Sequence, residues 1–348
     1  MFNFQNSILE KLIVHRVGNS EDIHLIKLSR VAIDLSDPYF KSVLLHFLTK
    51  GLIQEEIHHF TSTNGDLSLN PVFTFAKEIF RDETSFQFQS IQIANTLLQQ
   101  STHNKIKSGD LFIAQIDQIA YAGKELKGLG LFKTETKLEF VKTNEAKTSI
   151  EIATDEGFIP EKIDKACFIL NTEEEDGYRV IVYDKSNQSG EAKYWKSQFL
   201  NIEPVKDNYH QTVQFMDLTK AFVQKQLPKE YEVSKAEQID LLNRSVAFFK
   251  TEETFQQENF EKAVLQDASL IDSFRGFNHQ YAQEHELPSF NEFEISGSAV
   301  KKQAKSFKSI LKLDKNFHVY IHGNREMIEK GVDPDGRKYY KIYFNEEN

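Results

Sequence analysis

The 348-residue chain has one cysteine, one tryptophan, three methionines and seven prolines. A single thiol, Cys167, cannot form a disulfide within the chain, so a reducing compartment is expected. Cys167 lies in the apolar run of residues 166–170 with no neighbouring base or cation to activate it, and reads as a small buried hydrophobe rather than a nucleophile. No apolar stretch approaches the roughly 20 residues of a transmembrane helix. The opening Met1-Phe2-Asn3-Phe4-Gln5-Asn6 lacks the positive start and apolar stretch of a secretory signal. A soluble, cytoplasmic chain without membrane association is therefore expected. Signature motifs are missing as well: no G-x-x-x-x-G-K-[ST], no G-x-G-x-x-G opening a helix, no G-x-S-x-G and no H-E-x-x-H. No cofactor, internal repeat or low-complexity linker is expected.

Phenylalanine, in contrast, is abundant at 29 residues, so the cores should be built from Phe, Leu and Ile. The length exceeds one comfortable core and points to two domains. Charge is unevenly placed. Residues 301–341 hold eleven Lys and Arg against five Asp and Glu, a local +6, whereas the whole chain is −10. Residues 342–348 add −2, which leaves −14 for residues 1–300. A positive field on an acidic body suits an anionic partner met on one face. The aromatics woven through the run (Phe307, Phe317, Tyr320, Tyr339, Tyr340, Tyr343 and Phe344) suit nucleic acid.

The pattern along the chain predicts strands over 8–15 and 23–34, joined by a turn at Gly18-Asn19-Ser20. A helix opens at Asp37-Pro38 and stops at Gly51, another starts at Asn70-Pro71, and a third covers 84–100. From Ser108 the period becomes two, predicting strands at 111–119, 126–133, 137–141, 149–153, 166–170 and 178–183. Gly128 and Gly130, inside a strand pattern, suggest a bulge or close backbone approach. The acidic run Glu173-Glu174-Glu175-Asp176 reads as a solvated hairpin tip. Around 201–206 the pattern turns helical, and the domain boundary is placed there, giving residues 1–203 and 204–348. Phe215, Leu218 and Phe222 line a helix ending before Pro228; Ser234 and Glu237 form a capping box. A further helix covers 269–285. Then come a basic helix after Ser296-Gly297-Ser298, a strand at 317–322, a helical turn at 325–330, the reversal Asp333-Pro334-Asp335-Gly336 and a strand at 338–344. The class is α+β: an N-terminal mixed domain with a largely antiparallel sheet and packed helices, a helical middle and a small α/β end.

Three constellations carry candidate chemistry. Lys301, Lys305, Lys308 and Lys312 recur at steps of three and four, which on a helix makes a basic stripe. Together with Lys302, Lys315, Arg325, Arg337, Lys338 and Lys341 they form a candidate phosphate-binding set, in which only the arginines offer a planar fork. Second, Asp110 and Asp117 precede Glu125-Leu126-Lys127 and Glu135-Thr136-Lys137. An acid beside Glu-x-Lys is how many nucleases hold a divalent metal and a lysine at the scissile phosphate, so Asp117, Glu135 and Lys137 make an alternative, enzymatic reading. Third, His318 and His322 share a strand face but lack a third ligand.

The stretch Leu311-Lys312-Leu313-Asp314-Lys315-Asn316-Phe317-His318-Val319-Tyr320-Ile321-His322-Gly323, with the closing Tyr339-Tyr340-Lys341-Ile342-Tyr343-Phe344, resembles the bacterial nucleoid-associated proteins of the thirty-seven-kilodalton family. Ser108-Gly109-Asp110-Leu111-Phe112-Ile113-Ala114 and the strand at 126–132 are similar to that family's central sheet, and the resemblance spans nearly the full length. It implies a soluble, cytoplasmic protein associated with chromosomal DNA and supplies no catalytic residues; the leading expectation is a non-enzymatic, nucleoid-located protein that binds double-stranded DNA through the C-terminal basic segment. The residues themselves leave two rivals open: the metal-dependent nuclease, and an acidic adaptor docking other chromosome-associated proteins. A homodimer is a further option.

Overall fold

Asp37 and Asn70 open the first two helices of the structure, a computed structural model that describes residues 3–18, 26–50, 56–102, 106–159, 163–184, 194–285, 287–288, 290–307, 310–313, 317–320 and 327–346. Asp37 accepts the amides of Tyr39 and Phe40, and Asn70 accepts that of Phe73. A proline follows each at the first helical position, where its missing N–H leaves no bond unmade. These caps start α1 (Pro38–Thr49) and α2 (Pro71–Arg81); α3 (Phe86–Gln100) follows. The chain divides into two compact units, residues 1–205 and 206–348.

The first unit is built on a seven-stranded antiparallel sheet of β1 (Ile8–Val17), β2 (Ile57–Phe60), β3 (Gly109–Tyr121), β4 (Lys124–Thr134), β7 (Lys165–Leu170), β8 (Arg179–Asp184) and β9 (Ile202–Pro204). Between β4 and β7 the chain makes a separate hairpin, β5 (Leu138–Glu145) and β6 (Ile150–Gly157). The order in the large sheet is β1-β3-β4-β7-β8-β2-β9. Ala122 and Gly123, both at positive φ, join β3 to β4 in the tight turn a right-twisted hairpin prefers. The period of two sorts the core. Leu111, Ile113, Leu129, Leu131, Cys167 and Ile169 face α2 and α3 with Trp195 and Phe199. Phe112, Ala114, Ile116, Phe132, Phe168 and Leu170 form the other face with Leu48 of α1. Gly128 and Gly130 are places of close approach, as expected. A Cβ on Gly128 would lie 2.5 Å from the Phe168 ring, and one on Gly130 would lie 2.4 Å from the Phe132 ring.

In the second unit, α4 (Asn208–Ala221) runs through a wide turn at 222–226 into α5 (Leu227–Glu230). Next come α6 (Lys235–Thr251), α7 (Gln257–Phe260), α8 (Ala268–Glu284) and α9 (Gly297–Ala304). Ser234 and Glu237 make the expected reciprocal cap of α6. Short pairs decorate the helices: β10 (Thr254–Gln256) with β11 (Glu292–Glu294), β12 (Ile310–Leu313) with β13 (Phe317–Tyr320), and β14 (Ile328–Val332) with β15 (Lys338–Ile342). The core centres on Phe215, whose ring has Phe249, Phe255, Phe260, Phe274, Phe290 and Phe293 around it, Phe255 nearest at 4.2 Å.

Several local expectations are corrected. Within the expected strand at 23–34, the described part, 26–34, makes one isolated bridge, Lys27 with Arg16, and one further backbone bond, from the Ile33 amide to the Leu12 carbonyl. Ser29 explains it: its amide donates to His15 Nδ1 and its hydroxyl to the Val14 carbonyl, so side chains replace a ladder. The six expected strands do not form one run, because β5 and β6 leave the sheet as their own hairpin. Residues 202–204 are the edge strand β9, not helix. Pro228 does not end a helix but sits in the first turn of α5. Residues 328–332 are strand β14 rather than a helical turn. In the acidic run Glu173, Glu175 and Asp176 are exposed as expected, but Glu174 pairs with Lys77 of α2 at 2.7 Å and accepts from the Tyr178 hydroxyl. Gly51 and the Asn19-Ser20 part of the first turn lie outside the described residues.

Candidate nucleic-acid interface

Ser296 caps α9 by accepting the Ala299 amide, and Ala299 and Val300 bury one side of the helix. Lys301 and Lys302 are thereby left exposed in its last turn, where the partial negative charge of a helix C-terminus favours cations. The helix then stops short of expectation. The amides of Lys305, Ser306 and Phe307 reach back only three residues, and Phe307 turns into the core, 4 % exposed, beneath the Lys220 ammonium. The expected stripe therefore does not exist as one helical face. Lys301 and Lys302 are on α9, exposed Lys305 is at its C-cap, and Lys312 belongs to β12. Lys308, Lys315 and Arg325 lie outside the described residues, as does His322.

The remaining three cations are all on the last hairpin, with Lys338 on the opposite side from Arg337 and Lys341. In β15, Lys338, Tyr340 and Ile342 alternate with Tyr339 and Lys341, so the two sets face opposite ways. Tyr340 turns inward to join Ile328, Leu313 and Val319 against Ile239 of α6. Arg337, Tyr339, Lys341 and Tyr343 consequently share the outer side. Arg337 is bound by Asp335 through Nε at 2.6 Å, and both are well exposed. Lys341 Nζ lies 4.9 Å from the Tyr343 ring centre and 3.9 Å from Glu329. A bond to the Tyr343 hydroxyl, followed by attraction to that group and to Glu329, holds the Lys341 ammonium above its ordinary range. Exposed pairs of this sort are weak and exchange readily for a phosphate.

The nuclease constellation is not assembled. Ile116 pairs with Gly128 and Asp110 with Thr134, so Asp117 and Glu135 lie some eight residues apart along the sheet, about 26 Å. Asp110, instead, shares a cleft of about 540 Å³ with Glu135 and Lys137, which Arg16, Lys107, Glu156 and Phe158 also line. Its charges are mutually engaged: Arg16 holds Asp110 with two bonds, Lys133 holds Glu135 and Lys137 holds Glu156. Lys127, the other expected lysine, reaches Glu83 at 2.6 Å. Among the described residues no group of three His, Cys, Asp or Glu is close enough to hold a metal. Cys167 is fully buried, and burial pushes its thiol far up.

Sequence reasoning missed a buried ionic row at this end of the sheet. Lys133 and Lys165 are paired neighbours on β4 and β7, and Lys165 binds Asp184 on β8 at 2.9 Å. The Tyr194 ring lies within 5.8 Å of the first ammonium and 5.3 Å of the second. Burial depresses the Lys133 ammonium, with Glu135 opposing that shift. The only advance signal was a lysine at one end of each apolar run, which usually marks a solvated strand end.

A family model described as nucleoid-associated protein YejK matches residues 13–337. No curated protein and no solved structure matches the chain.

Proposed function

From the premise that the chain belongs to the nucleoid-associated protein YejK family, we propose that it binds double-stranded DNA with little sequence preference and without catalysing a reaction on it. The contacts assigned are Lys301, Lys302 and Lys305 at the end of α9, and Arg337, Lys338 and Lys341 on the last hairpin, with Lys308, Lys312, Lys315 and Arg325 of the same segment. The observation that carries this reading is that the one basic stretch of an acidic chain leaves these six described cations exposed. Lysine ammoniums bind phosphate oxygens as point charges and read no base edges, so affinity should depend on salt rather than sequence. The nucleoid, within the cytoplasm, is the proposed location; among the described residues no helix is long and apolar enough to cross a membrane.

A second surface favours other chromosome-associated proteins as additional partners. Val141, Ile150 and Ile152 of the β5–β6 hairpin are each more than two-thirds exposed, and the register puts them on one face with Glu139 and Glu145.

Fluorescence anisotropy of a labelled duplex across salt concentrations tests the DNA reading. Each phosphate contact contributes about 0.9 to the log–log slope, so changing Lys301, Lys302 and Lys305 together to alanine should flatten it by up to about 2.7. Loss of affinity should be equal on unrelated sequences. An unchanged slope and affinity in a folded triple variant would remove α9 from the mechanism.

A further inference from the structure

We infer that the outer face of the last hairpin, Arg337-Tyr339-Lys341-Tyr343, is a stacking platform for the unpaired bases of single-stranded DNA; this rests on the DNA-binding reading above and names a further form of DNA for the same site. A face meant only for duplex phosphates has no use for aromatic rings, whereas unstacked bases need them. Here rings and cations alternate along one edge of the hairpin. Tyr339 and Tyr343 are each 41 % exposed, and four residue steps along the hairpin put them about 13 Å apart.

The rings are positioned, not merely exposed. Tyr339 lies across Gly331 on the paired strand, so closely that a Cβ there would come within 2.2 Å of its Cζ. One face of the ring is thus supported from beneath while the other meets solvent. Tyr343, just past the end of β15, is held by the hydrogen bond its backbone N–H donates to the Met327 carbonyl and by the Lys341 ammonium, 4.9 Å from its ring centre. A tyrosine held this way gives up little freedom when a base settles on it. Arg337 and Lys341 flank the rings where the phosphates joining stacked bases would run. The carboxylates on the same side, Glu329 and Asp335, are already occupied by those two cations and are exposed enough to release them. On the opposite face Tyr340 belongs to the packing against Ile239, which leaves the outer tyrosines free of a role in that core.

The test compares a labelled oligothymidylate with a duplex of equal length, using the full chain and its Tyr339→Ala/Tyr343→Ala variant. Single-strand affinity should fall about tenfold or more, because stacking on each aromatic is lost, while duplex affinity stays within about twofold. The Tyr339→Phe/Tyr343→Phe variant, which keeps both rings, should bind the single strand like the unaltered chain. Single-strand affinity that survives the alanine changes, or single-strand and duplex affinities that fall together, would overturn the platform. A wild-type chain that binds duplex with the expected salt slope but shows no tyrosine dependence refutes this inference alone; a chain that binds neither DNA refutes the underlying reading as well. Should the alanine variant lose its circular dichroism, photocrosslinking of the unaltered chain to bromodeoxyuridine-containing single strands decides the matter. Adducts on Tyr339 or Tyr343 support the platform, and adducts confined to other residues overturn it.

Discussion

Replacing Lys133 with methionine should destabilise the first unit by about 3 kcal/mol, and adding Glu135→Gln should return much of that loss. The Lys133 side chain is wholly inaccessible, and its ammonium donates to the Lys107 carbonyl at 2.8 Å, to Glu135 at 2.9 Å and to the Tyr194 hydroxyl at 3.4 Å. At 2.9 Å and an effective dielectric of about 20, the attraction to Glu135 is roughly 6 kcal/mol, most of which offsets the cost of drying both ions. The intact pair therefore contributes little net stability, but a broken one is costly. Methionine fills the same space and leaves a carboxylate that is only 14 % exposed without its cation. Breaking a buried pair costs about 3–5 kcal/mol, and the lower end fits the solvent Glu135 retains. With the carboxylate also made neutral, the double variant should cost about 2 kcal/mol less than the two single costs combined. Trp195, the one tryptophan, is fully buried beside Tyr194, so its fluorescence in urea reports this unit directly. A loss below about 1 kcal/mol for Lys133→Met, or strict additivity in the double variant, would show that the row is hydrated and carries no coupled ion pair.

Acidification should act through two histidines. Burial lowers His15 to about 4, and burial followed by the nearby Lys196 lowers His58 to about 4. Their folded values lie below the unfolded one, so the unfolded chain takes up more protons; stability should fall as pH drops from about 6.5 towards 4, by up to about 3 kcal/mol for each. Urea midpoints read from Trp195 across that range check this, and a flat profile down to pH 5 would contradict it. In the second unit, Phe215→Ala should cost about 3–5 kcal/mol, since a fully buried ring among six others leaves a cavity. If residues 204–348 fold as the separate domain proposed, circular dichroism should show an early transition while the Trp195 signal keeps its wild-type midpoint.

What the sequence disclosed was local chemistry. Asp37-Pro38, Asn70-Pro71 and the Ser234–Glu237 box are satisfied within four residues of themselves, and each starts a helix where expected. Antiparallel alternation likewise sorted Leu111 and Ile113 from Phe112 and Ala114. The α+β class followed from these elements. What escaped was decided by distant partners. Strand β2 is four residues with two adjacent histidines, and only pairing with β8 and β9 makes it a strand. The lysine spacing over 301–312 is as compatible with a helix as with the helix-turn-strand observed; Phe307 entering the core and Ile310–Leu313 pairing with Phe317–Tyr320 break it. Glu135 and Lys137 did prove to share a site with an aspartate, but with Asp110 rather than Asp117. Register along β3 and β4 sets that choice, and spacing alone does not disclose register.

The charge partition bounds what the proposed interface can be. Residues 1–300 carry −14, so DNA laid along them meets net repulsion, which at physiological salt is screened only beyond about 8 Å. On the proposed reading a duplex is met locally, by the basic segment, and is not wrapped. The six exposed described cations can account for a salt slope of at most about 5, and all ten assigned residues for about 9. A slope near the lower value would place the contacts on α9 and the last hairpin. A slope well above the higher one would require cations from the acidic region, such as Lys124 to Lys147, and would make the body rather than its basic end the binding surface. Salt dependence thus separates the two arrangements before any residue is changed, and it does so without reference to the tyrosines, whose contribution to single strands is carried by stacking and varies little with salt.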